Sequence, residues 1–170
     1  MSKALSLAGF DTTGGSSTIL QVSHQKFSGN VTSVTSDSFT ATEIFKEITP
    51  NSASSKILVM INASLSQYEG SGSGVKFGAA IYRNISNEQY WTNVYAGQSN
   101  SYGGYGESSG NTERTSSFPT TLIFVDEPNT TNNVSYKLYL RLLTASGQGD
   151  NVNTGASNME RSITLLEIAG

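Results

Sequence analysis

From Thr18 onward the hydrophobic residues of the chain fall on a period of two. The clearest stretch is Lys56 to Gln67, where Ile57, Val59, Ile61, Ala63 and Leu65 make one unbroken apolar face. Alternation of that length puts successive side chains on opposite faces of a pleated strand. The stretch is entered from Pro50 and the polar run 51–55, residue types that favour turns and do not form a helix interior.

The same pattern predicts seven further strands. Leu20 and Val22 alternate with Gln21 and Ser23 in a first strand reaching toward Phe27, and Phe39 to Ile48 is a less regular second. Val75 to Arg83 has Val75, Phe77, Ala79 and Ile81 on one face, and Tyr90 to Tyr95 is short. Phe118 to Val125 follows. In Val134 to Leu143, Val134, Tyr136, Leu138, Leu140 and Leu142 alternate with Ser135, Lys137, Tyr139 and Arg141. Ser162 to Ile168 closes the chain, with Leu166 and Ile168 expected inward. No segment shows helical periodicity with caps beyond a turn or two. Strands separated by turn signals in this number predict an all-β sandwich or barrel.

Three stretches fall outside this rhythm. Gly97 to Ser117 and Ala145 to Asn158 are rich in Gly, Ser and Asn and are expected to be long loops. Loops above ~12–15 residues in a compact domain are usually functional or disordered. Residues 1–17 carry Leu5, Leu7 and Phe10 beside the flexible run 11–17. They are expected to form a docking arm that buries those side chains on a partner, leaving 18–170 as the sandwich domain.

Composition narrows the function classes. At 170 residues the chain has the length of one domain with a real core, and it contains no cysteine for a disulfide or thiolate site. Charged residues are 14% and the net charge is −3, with the basic residues scattered singly. That balance does not point to nucleic acid or an anionic membrane. No apolar run approaches the ~18 residues of a membrane helix. Five sequons, at Asn30, Asn62, Asn84, Asn129 and Asn133, read as a product of Asn/Ser/Thr richness.

Candidate chemistry is sparse. His24 is the only histidine and lies in a strand between Ser23 and Gln25, so it reads as a plain strand residue rather than a catalytic base. Zinc needs three or four N/S ligands, so no metal site of that kind is expected. Glu43 with Glu47, or Asp126 with Glu127, are carboxylate pairs of the type glycoside hydrolysis uses. Asp126-Glu127-Pro128-Asn129 also suits an ordinary turn after a strand, the preferred reading. Asp150, Asn151 and Asn153 offer hard oxygens, but they lack the spacing of a calcium loop and read as a solvated loop. No catalytic set and no cofactor are expected. Tyr102 and Tyr105 sit among Ser, Gly and Asn, with Tyr95 and Trp91 close by in sequence. Tyrosines among small polar neighbours give broad contact area at low entropic cost. These four are the candidate binding residues. For Trp91 and Tyr95, as for Tyr90, packing in the core or at a subunit interface is the competing reading.

Three stretches together carry a resemblance. They are Ile48 to Val59, Ile123 to Arg141 and Arg161 to Ile168, with the Ala80–Arg83 strand between them. In order and spacing they resemble the β-sandwich domains of tail fibres and other surface proteins of tailed bacteriophages, particularly phages of marine bacteria and cyanobacteria. The resemblance covers about residues 18–168. It implies an antiparallel jelly-roll-like β-sandwich, homotrimeric, on the virion surface, with no active site. The partners it implies are further copies of the chain and, through the 1–17 arm (Leu5, Leu7, Phe10), other virion proteins. A tail-fibre-type subunit or a capsid decoration or knob both fit. The alternative is a module that reads host-surface glycan or a receptor through the Gly/Ser/Tyr loop.

Overall fold

The alternating stretches form two stacked antiparallel sheets in the computed structural model, which describes residues 18–29, 31–70, 75–86, 88–102, 114–144, 149–155 and 160–170. The strands are β1 (Ile19–Phe27), β2 (Ser33–Val34), β3 (Thr40–Ile48), β4 (Lys56–Glu69), β5 (Lys76–Ile85), β6 (Thr92–Tyr102), β7 (Arg114–Asp126), β8 (Val134–Thr144), β9 (Asn151–Asn153) and β10 (Arg161–Ile168). No helix occurs among the described residues.

The long strands pair from the ends of the chain inward: β1 with β10, β3 with β8, β4 with β7, β5 with β6. Pairing of β10 with β4 and of β8 with β5 then joins these hairpin-like pairs into two sheets. The long strands therefore run β1-β10-β4-β7 in one sheet and β3-β8-β5-β6 in the other. That nested order is a jelly roll, and the fold is the all-β antiparallel sandwich expected from the sequence.

The core lies between the sheets. Ile57, Val59, Ile61 and Leu65 of β4 face Phe77, Ala79 and Ile81 of β5 and Tyr136, Leu138 and Leu140 of β8, all buried. These are the inward faces that alternation predicted. One phase differs from expectation. In β10 the buried residues are Arg161, Ile163, Leu165 and Glu167, while Leu166 and Ile168 point outward. The adjacent pair Leu165-Leu166 fits either phase, and pairing with β4 decides it by setting Leu166 opposite the outer Leu58. In β1 the apolar Val22 is exposed, and the inner side carries Gln21 and Ser23, which bind Thr49 O and Glu47 O across the sandwich edge.

The expected loop 97–117 is shorter than its sequence suggested. Strand β6 runs to Tyr102 and β7 starts at Arg114, pairing with the far end of β4 at Glu69. Backbone hydrogen bonds suffice there, and side chains of Gly, Ser and Asn leave no alternation to read. Pro119 lies within β7 opposite Ser64, tolerated because β7 is a sheet edge.

Within the second expected loop, β9 continues the row of β10 along β4, pairing with Ser66–Tyr68, and β2 lies beside β9. Gly155, just after β9, lies close against β4. Its φ is +101°, and a Cβ there would collide with the Ser64 carbonyl oxygen. Gly29 shares the left-handed backbone (φ +88°) but faces open space. Gly29→Ala is therefore expected to cost about 1–2 kcal/mol, the backbone term alone, and Gly155→Ala clearly more. Urea unfolding midpoints measure both, and equal losses would remove the close approach from the account.

Candidate functional site

The carboxylates that sequence offered as acid–base pairs are instead used to fasten one sheet to the other. Asp126, at the inner end of β7, takes both oxygens to Arg83 Nη1 (2.9 and 2.8 Å) and accepts the Tyr136 hydroxyl at 2.7 Å. Burial, then the charge and hydrogen bond of Asp126, push the Tyr136 phenol far up, so it stays a donor. Glu127 turns the other way to Lys56 at 2.8 Å, whose hydrogen bond and charge hold its carboxyl below the usual range. Glu43 is lifted toward the opposite sheet by a bulge in β3 between Ala41 and Phe45. It accepts the Thr32 and Thr154 hydroxyls, both at 2.6 Å, with the buried Arg161 at 3.5 Å. Glu47 accepts the Ser135 hydroxyl. Neither candidate pair is brought together.

Glu167 is a further buried carboxylate. Gln21 Nε2, Asn51 N and Asn51 Nδ2 each donate to it at 2.7 Å. Burial raises its pKa, but these donors, with Ser55 alongside, outweigh burial and hold it below the usual carboxylate range. His24 Nδ1 lies 2.8 Å from Thr164 Oγ1 on the outer sheet face, the plain strand histidine expected. Asp150 is buried rather than solvated and accepts the Gly70 N–H at 2.9 Å. Asn153 accepts the Gly155 N–H, and no carboxylate–histidine cluster suited to a metal occurs among the described residues.

The candidate binding residues separate. Tyr95 stacks on Phe124 between the sheets (centroids 5.3 Å), because a bulge in β6 turns it and Val94 inward. It therefore serves the core, the competing reading above. Tyr105, Leu5, Leu7 and Phe10 lie outside the described residues, as does the side chain of Tyr102, whose backbone is in β6.

Trp91 belongs to a surface cluster that sequence did not reveal. On the outer face of the β3-β8-β5-β6 sheet, the Tyr82 and Tyr139 rings stack at 4.0 Å, Trp91 lies 6.3 Å from Tyr139, and Phe39 meets Tyr82 edge-on at 5.8 Å. The Lys137 ammonium sits 5.0 Å from the Phe45 ring centre and 4.9 Å from that of Trp91. Arg141 lies over Phe39 at 4.6 Å and across Gly78, where a Cβ would crowd its Nε at 3.2 Å. Ala80, on the same face, is fully covered. Trp91 is delivered by the β5–β6 turn, which Asn84 Nδ2 holds by donating to Glu88 O and Tyr90 O. Alternation in β8 marks Lys137 and Tyr139 as outward, the only signal available, because the other rings come from β5, from β3 and the residue before it, and from the β5–β6 turn.

The opposite outer face carries an apolar row beside polar residues such as His24, Thr164 and Asn62. Pairing aligns Val22, Leu166, Leu58 and Val125 in one row across β1, β10, β4 and β7, with Met60 and Ile123 in the next. Val22, Ile123 and Val125 are 51–60% exposed.

No protein-family model and no curated protein matches the chain. Among solved structures, the chain is similar to the infectious bursal disease virus Gt strain structure at 9% identity and TM-score 0.38, covering 99% of this chain and 40% of that one. Infectious bursal virus-derived T=1 particles give 10% identity and TM-score 0.36, covering 100% of this chain and 41% of that one. The chain thus spans about two-fifths of the length of these proteins, and likeness at this level carries no argument about function.

The Glu167 cluster gives a pH dependence. Its folded pKa lies below the unfolded value of 4.5, so its stabilisation is complete above that value and is lost as pH falls through the folded pKa. Glu167→Gln should lower stability at neutral pH and flatten the stability profile below about pH 4.5, measured by urea unfolding across pH. A profile parallel to wild type would refute the assignment.

Proposed function

We propose that the chain is a structural subunit of a virus particle that assembles through contacts with copies of itself and performs no chemistry of its own. The observation that carries the self-association is the apolar row Val22–Leu166–Leu58–Val125 across the outer face of a jelly-roll sheet, and the particle itself is proposed from the sequence resemblance. Contiguous exposed apolar surface marks an interaction site. The exposed ion pairs near this face, Lys56–Glu127 and Lys26–Glu160, are each internally neutral, so like surfaces meet without repulsion.

The sequence resemblance supports the finer form of the proposal: a tailed-bacteriophage protein, of tail-fibre type or a capsid decoration or knob, homotrimeric and exposed on the virion. In that form residues 1–17 anchor the subunit to other virion proteins. Tyr102 and Tyr105 are then the residues that meet a host receptor.

Purified virions should contain the protein, and particles lacking it would overturn the proposal. In sedimentation equilibrium the wild type should run as a trimer at micromolar concentration. The double variant Val22→Glu/Val125→Glu changes two exposed side chains and should run as a folded monomer with an unchanged far-UV spectrum. A wild-type monomer, or a variant that still trimerises, would remove this face from the assembly.

A further inference from the structure

We propose that the aromatic cluster on the outer β3-β8-β5-β6 face is a binding site for an acidic saccharide, with Trp91, Tyr82, Tyr139 and Lys137 as its contact residues. The inference stands on the chemistry of that face and does not depend on the particle reading.

Four donor side chains share this face. Among the described residues, the hydroxyls of Tyr82 and Tyr139 and the indole N–H of Trp91 make no protein hydrogen bond, and Lys137 makes no ion pair. The Lys137 ammonium is instead held over two rings, about 5 Å from each ring centre. A cation in that position keeps its hydrogen-bonding capacity, since a ring face satisfies charge but accepts no strong hydrogen bond. Burial, then the neighbouring Tyr82, pushes the Tyr139 phenol up, so it remains a donor at neutral pH. The rings are half-buried and packed on one another, so they are already ordered before any ligand arrives.

A matching ligand brings acceptors, negative charge and an apolar face together. An acidic saccharide has all three: hydroxyl and ring oxygens for the phenols, a carboxylate or sulfate for Lys137, and C–H faces for the rings. A second copy of this chain fits poorly, because two cations of this face, Lys137 and Arg141, would meet their own kind with one carboxylate, Glu47, beside them. An acidic peptide supplies the charge, but it lacks the C–H face that the row of rings selects.

Calorimetric titration of the whole protein tests this with four probes: an oligogalacturonate, its neutral methyl ester, a sulfated heparin oligosaccharide and polyglutamate. At least one acidic saccharide should bind, with affinity falling as salt rises, and the methyl ester should bind at least about tenfold more weakly. Lys137→Met and the ring-preserving double variant Tyr82→Phe/Tyr139→Phe should each weaken binding by about tenfold, roughly one lost charged or polar contact. Lys26→Met removes the same charge from the opposite sheet and should change nothing. Circular dichroism checks that each variant is folded. Absence of binding to both acidic saccharides would overturn the proposal. So would equal losses in Lys26→Met and Lys137→Met, which would mean non-specific charge attraction. Polyglutamate binding as tightly as either saccharide would replace the saccharide with an acidic peptide.

Discussion

Strand β4 constrains the rest of the structure. It is hydrogen-bonded along one side to β7 over Ile57–Glu69 and along the other to β10 and then β9. A strand paired on both sides cannot slip by one residue without exchanging its buried face for its outer one. Ile57, Val59, Ile61 and Leu65 are fully buried and Lys56 and Asn62 exposed, so slippage would bury a lysine and expose four aliphatic side chains. At ~25 cal/mol per Å² of apolar surface, that exchange amounts to several kcal/mol. With β4 fixed, β10 must place Leu166 outward opposite Leu58, and β7 must do the same with Val125. The apolar outer row thus follows from the register that builds the core.

An apolar core fixes the distance between two sheets better than their lateral position, since hydrophobic contact is not directional. Carboxylates supply the direction. Asp126 ties β7 to Arg83 and Tyr136 of the other sheet. Glu43 ties β3 to Thr154 and Arg161, and Glu167 ties β10 to the turn at Asn51. Each accepts several donors, which is the condition under which a buried charge is tolerated. Removing one partner would leave a charge buried with a donor missing. These groups give the two sheets a defined lateral position, and they hold the members of the pairs Glu43/Glu47 and Asp126/Glu127 in separate clusters.

The fold was legible in the sequence wherever one face is buried and the other solvated. Strands β4, β5 and β8 alternate cleanly, and their inward residues could be named. Legibility failed for three physical reasons. Adjacent Leu165 and Leu166 make both phases of β10 apolar, and charged Arg161 and Glu167 favour the wrong one unless their partners are known. The ends of β6 and β7 are held by backbone pairing, to which Gly and Ser side chains give no clue. The aromatic cluster draws Phe45, Tyr82, Trp91 and Tyr139 from four separate segments, which sequence spacing does not relate. Trp91 stands out in the sequence by residue type and proximity to the loop tyrosines, whereas its neighbours on the folded surface do not. Tyr95, chosen on the same grounds, went to the core because a bulge in β6 reversed its face.

The two outer surfaces differ in a way that bears on how they can work together. One carries the apolar row and is bordered by neutral ion pairs; the other carries the rings with Lys137 and Arg141. They lie on opposite sides of the sandwich, because each is the outer face of a different sheet. Covering the apolar face with another copy therefore leaves the aromatic face open, and ligand on the aromatic face does not compete with assembly. If three copies surround an axis with their apolar faces turned inward, three aromatic faces point away from it. Sites that are weak singly then gain from being displayed together, since the second contact of a repeating saccharide becomes intramolecular once the first is made. A polymer of repeating acidic units suits that arrangement better than a single small sugar does, because only a polymer spans more than one subunit.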